Sequence, residues 1–119
     1  MKENWKPIKN FETKYLISNY GNVKSLKTNT ILKPYTNKTK YLYVCLSNGK
    51  IKKHYRIHRL VANAFIPNPK LKKFINHKDY DTFNNKVENL EWVTMKENIE
   101  YSRENVLLGI RKRIALYGK

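Results

Sequence analysis

Cysteine is almost absent from this chain: Cys45 is the only one among 119 residues. A lone thiol excludes an intramolecular disulfide framework and any four-cysteine zinc site. Long apolar runs are missing too. No stretch approaches the roughly 20 residues that a bilayer-spanning helix needs. The opening MKENWKPIKN also lacks the apolar core of a secretory signal. The expectation is a soluble, intracellular protein without a membrane partner. Acidic residues are scarce, nine Asp and Glu against 25 Lys and Arg, for a formal net charge of +16. Ribosome binding, membrane adhesion and plain solubility all tolerate such an excess, but nucleic acid is the leading partner class. Internal repeats and low-complexity linkers are likewise absent, and 119 residues fit one domain or a domain with a small appendage.

What the chain does have is enough apolar and aromatic material for a modest core: 40% hydrophobic residues, including nine Tyr, four Phe and two Trp. Its charge is unevenly spread. Residues 1–53 carry twelve Lys and two Glu, and residues 54–73 carry five positive charges and no negative one. Residues 74–104 reverse the balance, with seven acidic side chains against four basic ones, before the basic tail at 105–119. The reversed segment contains INHKDYDTFNNKVENLEWVTMKEN (75–98), with five asparagines, one histidine and the chain's two aspartates. A purely electrostatic clamp on a polyanion has no need of such an island, whereas a cation site facing phosphate does. The plain alternative is a helix start, where the dipole favours acidic side chains. Charge alone leaves these two readings even.

Periodicity divides the chain in the same place. KYLISNYGNVKSL (14–26) alternates around NYGN, where Asn19 and Gly21 supply turn chemistry, and YLYVCLSNGKIKKHYRIH (41–58) has β-rich arms on either side of Ser47–Asn48–Gly49, the strongest hairpin signal. At 57–66 the period changes: Ile57, Leu60, Val61, Ala64 and Phe65 mark an amphipathic helix stopped by Pro67. KKFINH and NLEWVT then read as two short strands around a polar loop. TMKE (94–97) is a capping box that starts a helix with Asn98 in its first turn, and the tail at 105–119 reads as a basic helix weakened by Gly109.

Residues 55–98, with YRIHRLVANAFIPNP, INHKDYDTFNNKVENLEWVT and MKEN, closely resemble the HNH homing endonucleases of phages and introns. WKPI (5–8) followed by YLISNYGNVKS (15–25) resembles the small DNA-binding module that often precedes them. The resemblance implies an α+β fold: an antiparallel β-rich DNA-binding region at 1–53, a ββα-metal nuclease core at 54–104 and a basic C-terminal helix at 105–119. It implies hydrolysis of DNA phosphodiester bonds, with His77 as general base. Asn76 and Asn98 match the ligands of one divalent cation, Mg²⁺ with Mn²⁺ as the alternative. Asn89 matches the asparagine that ties the loop together, and double-stranded DNA is the implied partner.

The chemistry of the residues agrees in part. Neutral imidazole takes a water proton near physiological pH, and hard divalent cations prefer oxygen ligands. Many relatives carry Asp where this chain has Asn76, so its cation would meet two neutral amides. Asp79 and Asp81 therefore stay open as alternative ligands. Adjacent strand residues also point to opposite faces, so Asn76 and His77 can serve one site only if the strand ends there. Taken blind, a histidine in a polar loop is usually a surface residue, and asparagines mostly shape turns. His58 either supports the site, touches phosphate or lies on the surface. A His54–His58 zinc pair is disfavoured because residue 54 reads as strand, and Trp92 and Phe65 read as core. Lys24, Ser25, Lys27, Lys33, Lys38, Lys40, Lys50, Lys52 and Arg59 are the expected DNA contacts, with Asn22 a further candidate for a base edge. Two rival functions remain: a catalytically inactive DNA-binding regulator on the same fold, and an RNA- or ribosome-binding protein.

Overall fold

Alternation around tight turns builds the amino-terminal half as expected. In the computed structural model, which describes residues 2–36 and 40–103, four strands pair antiparallel in chain order. They are β1 (Trp5–Pro7), β2 (Tyr15–Ser18), β3 (Val23–Ser25) and β4 (Thr30–Ile31). The turn between β2 and β3 contains Gly21 at φ 87°, a left-handed conformation that carries no Cβ penalty for glycine. Ser18 closes this turn from below, its buried Oγ accepting from the amides of Tyr20 and Asn22 at 3.2 and 3.1 Å. Asn19 anchors the start of the chain, accepting from the Asn4 amide at 2.7 Å and donating to the Lys2 carbonyl at 3.0 Å.

The second hairpin, β5 (Tyr43–Asn48) and β6 (Ile51–Arg56), turns at Gly49 as the Ser–Asn–Gly signal predicts. Helix α1 (Ile57–Phe65) follows without a linker and buries Ile57, Val61 and Ala62. It ends at the cap residue Ile66, just before Pro67. Strands β7 (Phe74–His77) and β8 (Leu90–Val93) then pair antiparallel from Phe74 opposite Val93 to His77 opposite Leu90. The connection at 78–89 ends in a single 3₁₀ turn, Val87–Asn89. A second helix, α2 (95–103), starts at the expected capping box. The Glu97 amide donates to Thr94 Oγ1 at 3.2 Å, and the Thr94 amide donates to Glu97 Oε1 at 2.9 Å. These bonds, with the Thr94 amide first and Lys72 at 3.1 Å next, hold the Glu97 carboxyl down at about 2. Lys38 and the expected helix at 105–119 lie outside the described residues.

This is an α+β fold. One apolar cluster joins Ile17 and Val23 of the first sheet, Val44 and Leu46 of β5, Ile57, Val61 and Ala62 of α1, and Ile75 and Leu90 of the last hairpin. The core thus runs across residue 53, and α1 sits between the basic sheet and the β7–β8 hairpin. Ile17 is fully buried within it. Ile17→Ala is expected to cost about 2–5 kcal/mol by denaturant unfolding, through lost burial and the cavity it leaves. A cost below about 1 kcal/mol would show that the first sheet does not share this core. Among the described residues no helix is long and apolar enough to cross a membrane.

Candidate functional site

Strand β7 stops at His77 because the chain turns there. Tyr80 adopts φ 64°, its amide donates to the His77 carbonyl at 3.0 Å, and the Lys78 amide donates to the Asn89 carbonyl at 2.7 Å. The loop beyond is organised by its own polar side chains. Asp79 Oδ1 accepts from the Asp81 amide and from Asn89 Nδ2, and its Oδ2 accepts from Asn84 Nδ2, each at 2.8 Å. Asn89, buried, also accepts from the Asp79 amide at 3.0 Å and donates to the Asn84 carbonyl at 2.9 Å. The Asn84 bond leads the effects that pull the Asp79 carboxyl below its ordinary value. Much of the acidic, amide-rich composition is therefore loop architecture.

Beside this loop lies a small cleft of about 100 Å³, whose walls include Asn76, His77 and Asn98 together with Tyr41, Thr82 and Tyr101. Asn76 and His77 reach it as neighbours because the strand ends between them and the turn. Asn76 is only 6% exposed, and its Nδ2 has no hydrogen-bond partner among the described residues. Asn98 comes from the first turn of α2, fixed by its amide donating to the Thr94 carbonyl at 2.9 Å. Asp79 and Asp81 do not line the cleft. Asp79 is hydrogen-bonded through both oxygens, and Asp81 Oδ1 accepts from the Phe83 amide at 3.0 Å. Of the ligand candidates left open by the sequence, the two amides are the ones at the cleft.

His77 is 6% exposed, with Nε2 at 2.8 Å from Asn85 Oδ1. With the amide oxygen toward the ring, Nε2 carries the proton of the neutral imidazole and Nδ1 is bare. Burial pushes the His77 pKa below 6.5, against the opposing pull of the Asn85 hydrogen bond and the Asp79 and Asp81 charges. The ring is neutral at physiological pH.

His58 is no surface residue. It is 4% exposed, its ring centroid 4.9 Å from Tyr41 and 5.0 Å from His77. Helix α1 is covered on this side by Tyr41 and the β7–β8 hairpin, which a helical wheel drawn from the sequence does not show. Burial first, then His77, Arg59 and Arg56, lower its pKa to about 3. An unfolded chain protonates His58 near pH 6.5, so its contribution to stability is complete above that pH. It is lost as pH falls toward about 3, by at most about 1.4 kcal/mol per unit. Urea unfolding at pH 7 and 4.5 should show a larger loss for the native chain than for His58→Phe. Equal losses would mean that His58 is protonated in the folded state.

The remaining candidates are placed as follows. Lys27, Lys33, Lys40, Lys50 and Lys52 are exposed, and Ser25 is half-buried. Asn22 is half-buried and donates to Glu3 Oε2 at 2.7 Å. The Lys24 ammonium lies 4.4 Å from the centroid of the Trp5 ring. Arg59 donates to the Lys73 carbonyl at 3.3 Å and lies over Trp92, which packs with Phe65 against the core. His54 is exposed and bonded to the Tyr35 hydroxyl, far in character from buried His58, and the zinc pair is not formed. Among the described residues no three His, Cys, Asp or Glu side chains cluster to hold a metal. Sequence reasoning missed Tyr41 and Asn85. Tyr41 lies 36 positions before His77 with no local signal, and Asn85 shows only as half of an Asn–Asn pair.

Residues 3–47 match the NUMOD4 motif and residues 55–99 match the HNH endonuclease family. An uncharacterised HNH endonuclease of Acanthamoeba polyphaga mimivirus is 43% identical over 119 residues, covering 96% of this chain and 29% of that protein. DNA endonuclease I-HmuI of Bacillus phage SP01 is 37% identical over 108 residues, covering 91% of this chain and 62% of its own length. A solved structure described as DNA binding and cleavage by the HNH homing endonuclease I-HmuI aligns with a TM-score of 0.81 at 36% identity. That alignment covers 94% of this chain and 66% of the other. The chain thus spans from under a third to about two thirds of these relatives.

Proposed function

Since the chain belongs to the HNH endonuclease family, we propose that it hydrolyses phosphodiester bonds in double-stranded DNA inside the cell, with His77 as general base and Asn76 and Asn98 holding a divalent cation. The observation that supports this best is the convergence of those three side chains on one cleft from the end of β7 and the first turn of α2.

The residues suit the chemistry. Neutral His77, with its proton on Nε2 toward Asn85, offers Nδ1 to the proton of a water molecule. The new bond joins the water oxygen to phosphorus, and the bond from phosphorus to the 3′ oxygen breaks. The 3′ oxygen takes a proton from solvent, leaving a 5′-phosphate and a 3′-hydroxyl. HNH nucleases generally use a divalent metal, and the donor set here fits one: Asn76 and Asn98 each bring to the same cleft a side-chain amide whose oxygen is a hard ligand. Bound there, Mg²⁺ or Mn²⁺ would offset the negative charge that gathers on the phosphate. Lysines of the first half, Lys27, Lys33, Lys50 and Lys52 among them, would follow the DNA backbone, and NUMOD4 at 3–47 accords with that division of labour.

Asn76 in place of Asp is the argument for an inactive DNA-binding regulator. The test is supercoiled-plasmid cleavage with Mg²⁺ or Mn²⁺ at low salt. Nicked or linear product supports the nuclease. DNA binding without cleavage in either metal would replace it with the regulator.

A further inference from the structure

The turn between β2 and β3 meets the 78–89 loop more closely than a side chain would allow. A Cβ added to Gly21 would lie 2.9 Å from Asn85 Cβ and 3.1 Å from the Asn85 carbonyl oxygen. Two residues along each segment, the Val87 amide donates to the Asn19 carbonyl at 2.9 Å. The turn is tied by its own hydrogen bonds, because Ser18 Oγ accepts from two of its amides and the Gly21 amide donates to the Ser18 carbonyl at 3.0 Å. Residues 85–87 therefore sit against a preformed surface. Asn85, 5% exposed there, presents Oδ1 to His77 Nε2 at 2.8 Å.

We propose that Asn85 is a positioning residue for His77, and that the Ser18–Asn22 turn of the amino-terminal module holds Asn85 in place. The reading rests on His77 as the base. A neutral imidazole has two tautomers of similar energy, and only the one protonated on Nε2 leaves a lone pair on Nδ1. An acceptor fixed at Nε2 selects that tautomer and also sets the rotation of the ring. Tyr41 and His58 contact the ring, at centroid distances of 6.1 and 5.0 Å, but a ring contact does not choose a tautomer. The acceptor belongs to the nuclease segment, yet its brace belongs to the segment that precedes it by more than 60 residues. Cleavage competence is then coupled to the amino-terminal module independently of any DNA contact that module makes.

The test uses the full chain with Asn85→Leu, which keeps the approximate shape but has no acceptor, and Asn85→Asp, which keeps the acceptor. Plasmid cleavage at saturating DNA, DNA affinity, and the ¹⁵N ring shifts of His77 in the metal-free protein at pH 8 are measured for each. Asn85→Leu is expected to lower the cleavage rate by about 10–100-fold, the usual cost of removing such a supporting partner, with DNA affinity within about twofold. Its His77 ring signals should move from an Nε2-protonated pattern toward a tautomer mixture. Asn85→Asp should recover most of the rate and the Nε2-protonated pattern. Gly21→Ala should shift the ring signals as Asn85→Leu does; an unchanged signature would overturn the brace. Native rate and ring pattern in Asn85→Leu, or equal losses in the Leu and Asp variants, would overturn the positioning role. Undiminished cleavage by His77→Ala would instead remove the base assignment, while the ring signals still report whether Asn85 fixes His77.

Discussion

Replacing His77 with alanine should lower the rate of plasmid cleavage by about 10²–10⁴-fold while DNA affinity stays near native, the cost of losing a positioned general base. The prediction is sharp because the cleft offers no obvious understudy. Asp79 and Asp81 belong to the loop rather than to the cleft walls, and His58 lies beneath Tyr41 with its pKa at about 3. His58 would need to displace the aromatic ring above it to reach a phosphate. DNA affinity should be spared, since His77 is 6% exposed and neutral and adds nothing to the +16 charge that attracts the polyanion. Because the ring is buried, His77→Gln accompanies the alanine variant to keep volume. Both variants should bind DNA and neither should cut at more than about a hundredth of the native rate. Cleavage within about tenfold of native in either would place the base elsewhere.

The sequence made the elements legible for physical reasons that differ along the chain. Turn chemistry marked the two hairpins, through Asn19 and Gly21 in one and the Asn48–Gly49 step in the other, and the capping box at Thr94 and Glu97 formed as read. The family motif pointed to Asn76, His77 and Asn98, and the structure brings those side chains to one cleft. What surrounds them could not be read. Tyr41 meets His77 and His58 only because α1 and the last hairpin pack together, and such long-range pairing leaves no periodic trace. Asn85 resembled another turn asparagine until its oxygen was found on His77 and its backbone against Gly21. The aspartates, left open by the sequence as alternative ligands, are placed in the loop and off the cleft walls. Both Asp79 oxygens accept from the Asp81 amide and from asparagine side chains, and Asp81 Oδ1 accepts from the Phe83 amide.

Asn98→Ala should reduce metal-dependent cleavage by more than about 100-fold, beyond the about 10–100-fold typical of residues that only support a ligand. Asn76→Asp should do the reverse to the cation itself. Two neutral amides give a divalent ion hard oxygens but no charge, and the chain around them is strongly basic, so the free protein should hold Mn²⁺ weakly. A carboxylate at Asn76 would face the same cleft and should tighten Mn²⁺ by at least about tenfold, or about 1.4 kcal/mol, in a titration followed by electron paramagnetic resonance without DNA. Duplex DNA should achieve in the native chain part of what Asn76→Asp achieves alone, because its phosphate supplies the missing negative charge at the cleft. Mn²⁺ affinity should therefore rise on adding DNA to the native protein, and rise less in Asn76→Asp. If Asn76→Asp leaves Mn²⁺ affinity unchanged, Asn76 is not a ligand, whatever happens to cleavage. If affinity rises equally with DNA in both chains, the cation is held chiefly by the nucleic acid, and Asn98 is left as the protein's contribution.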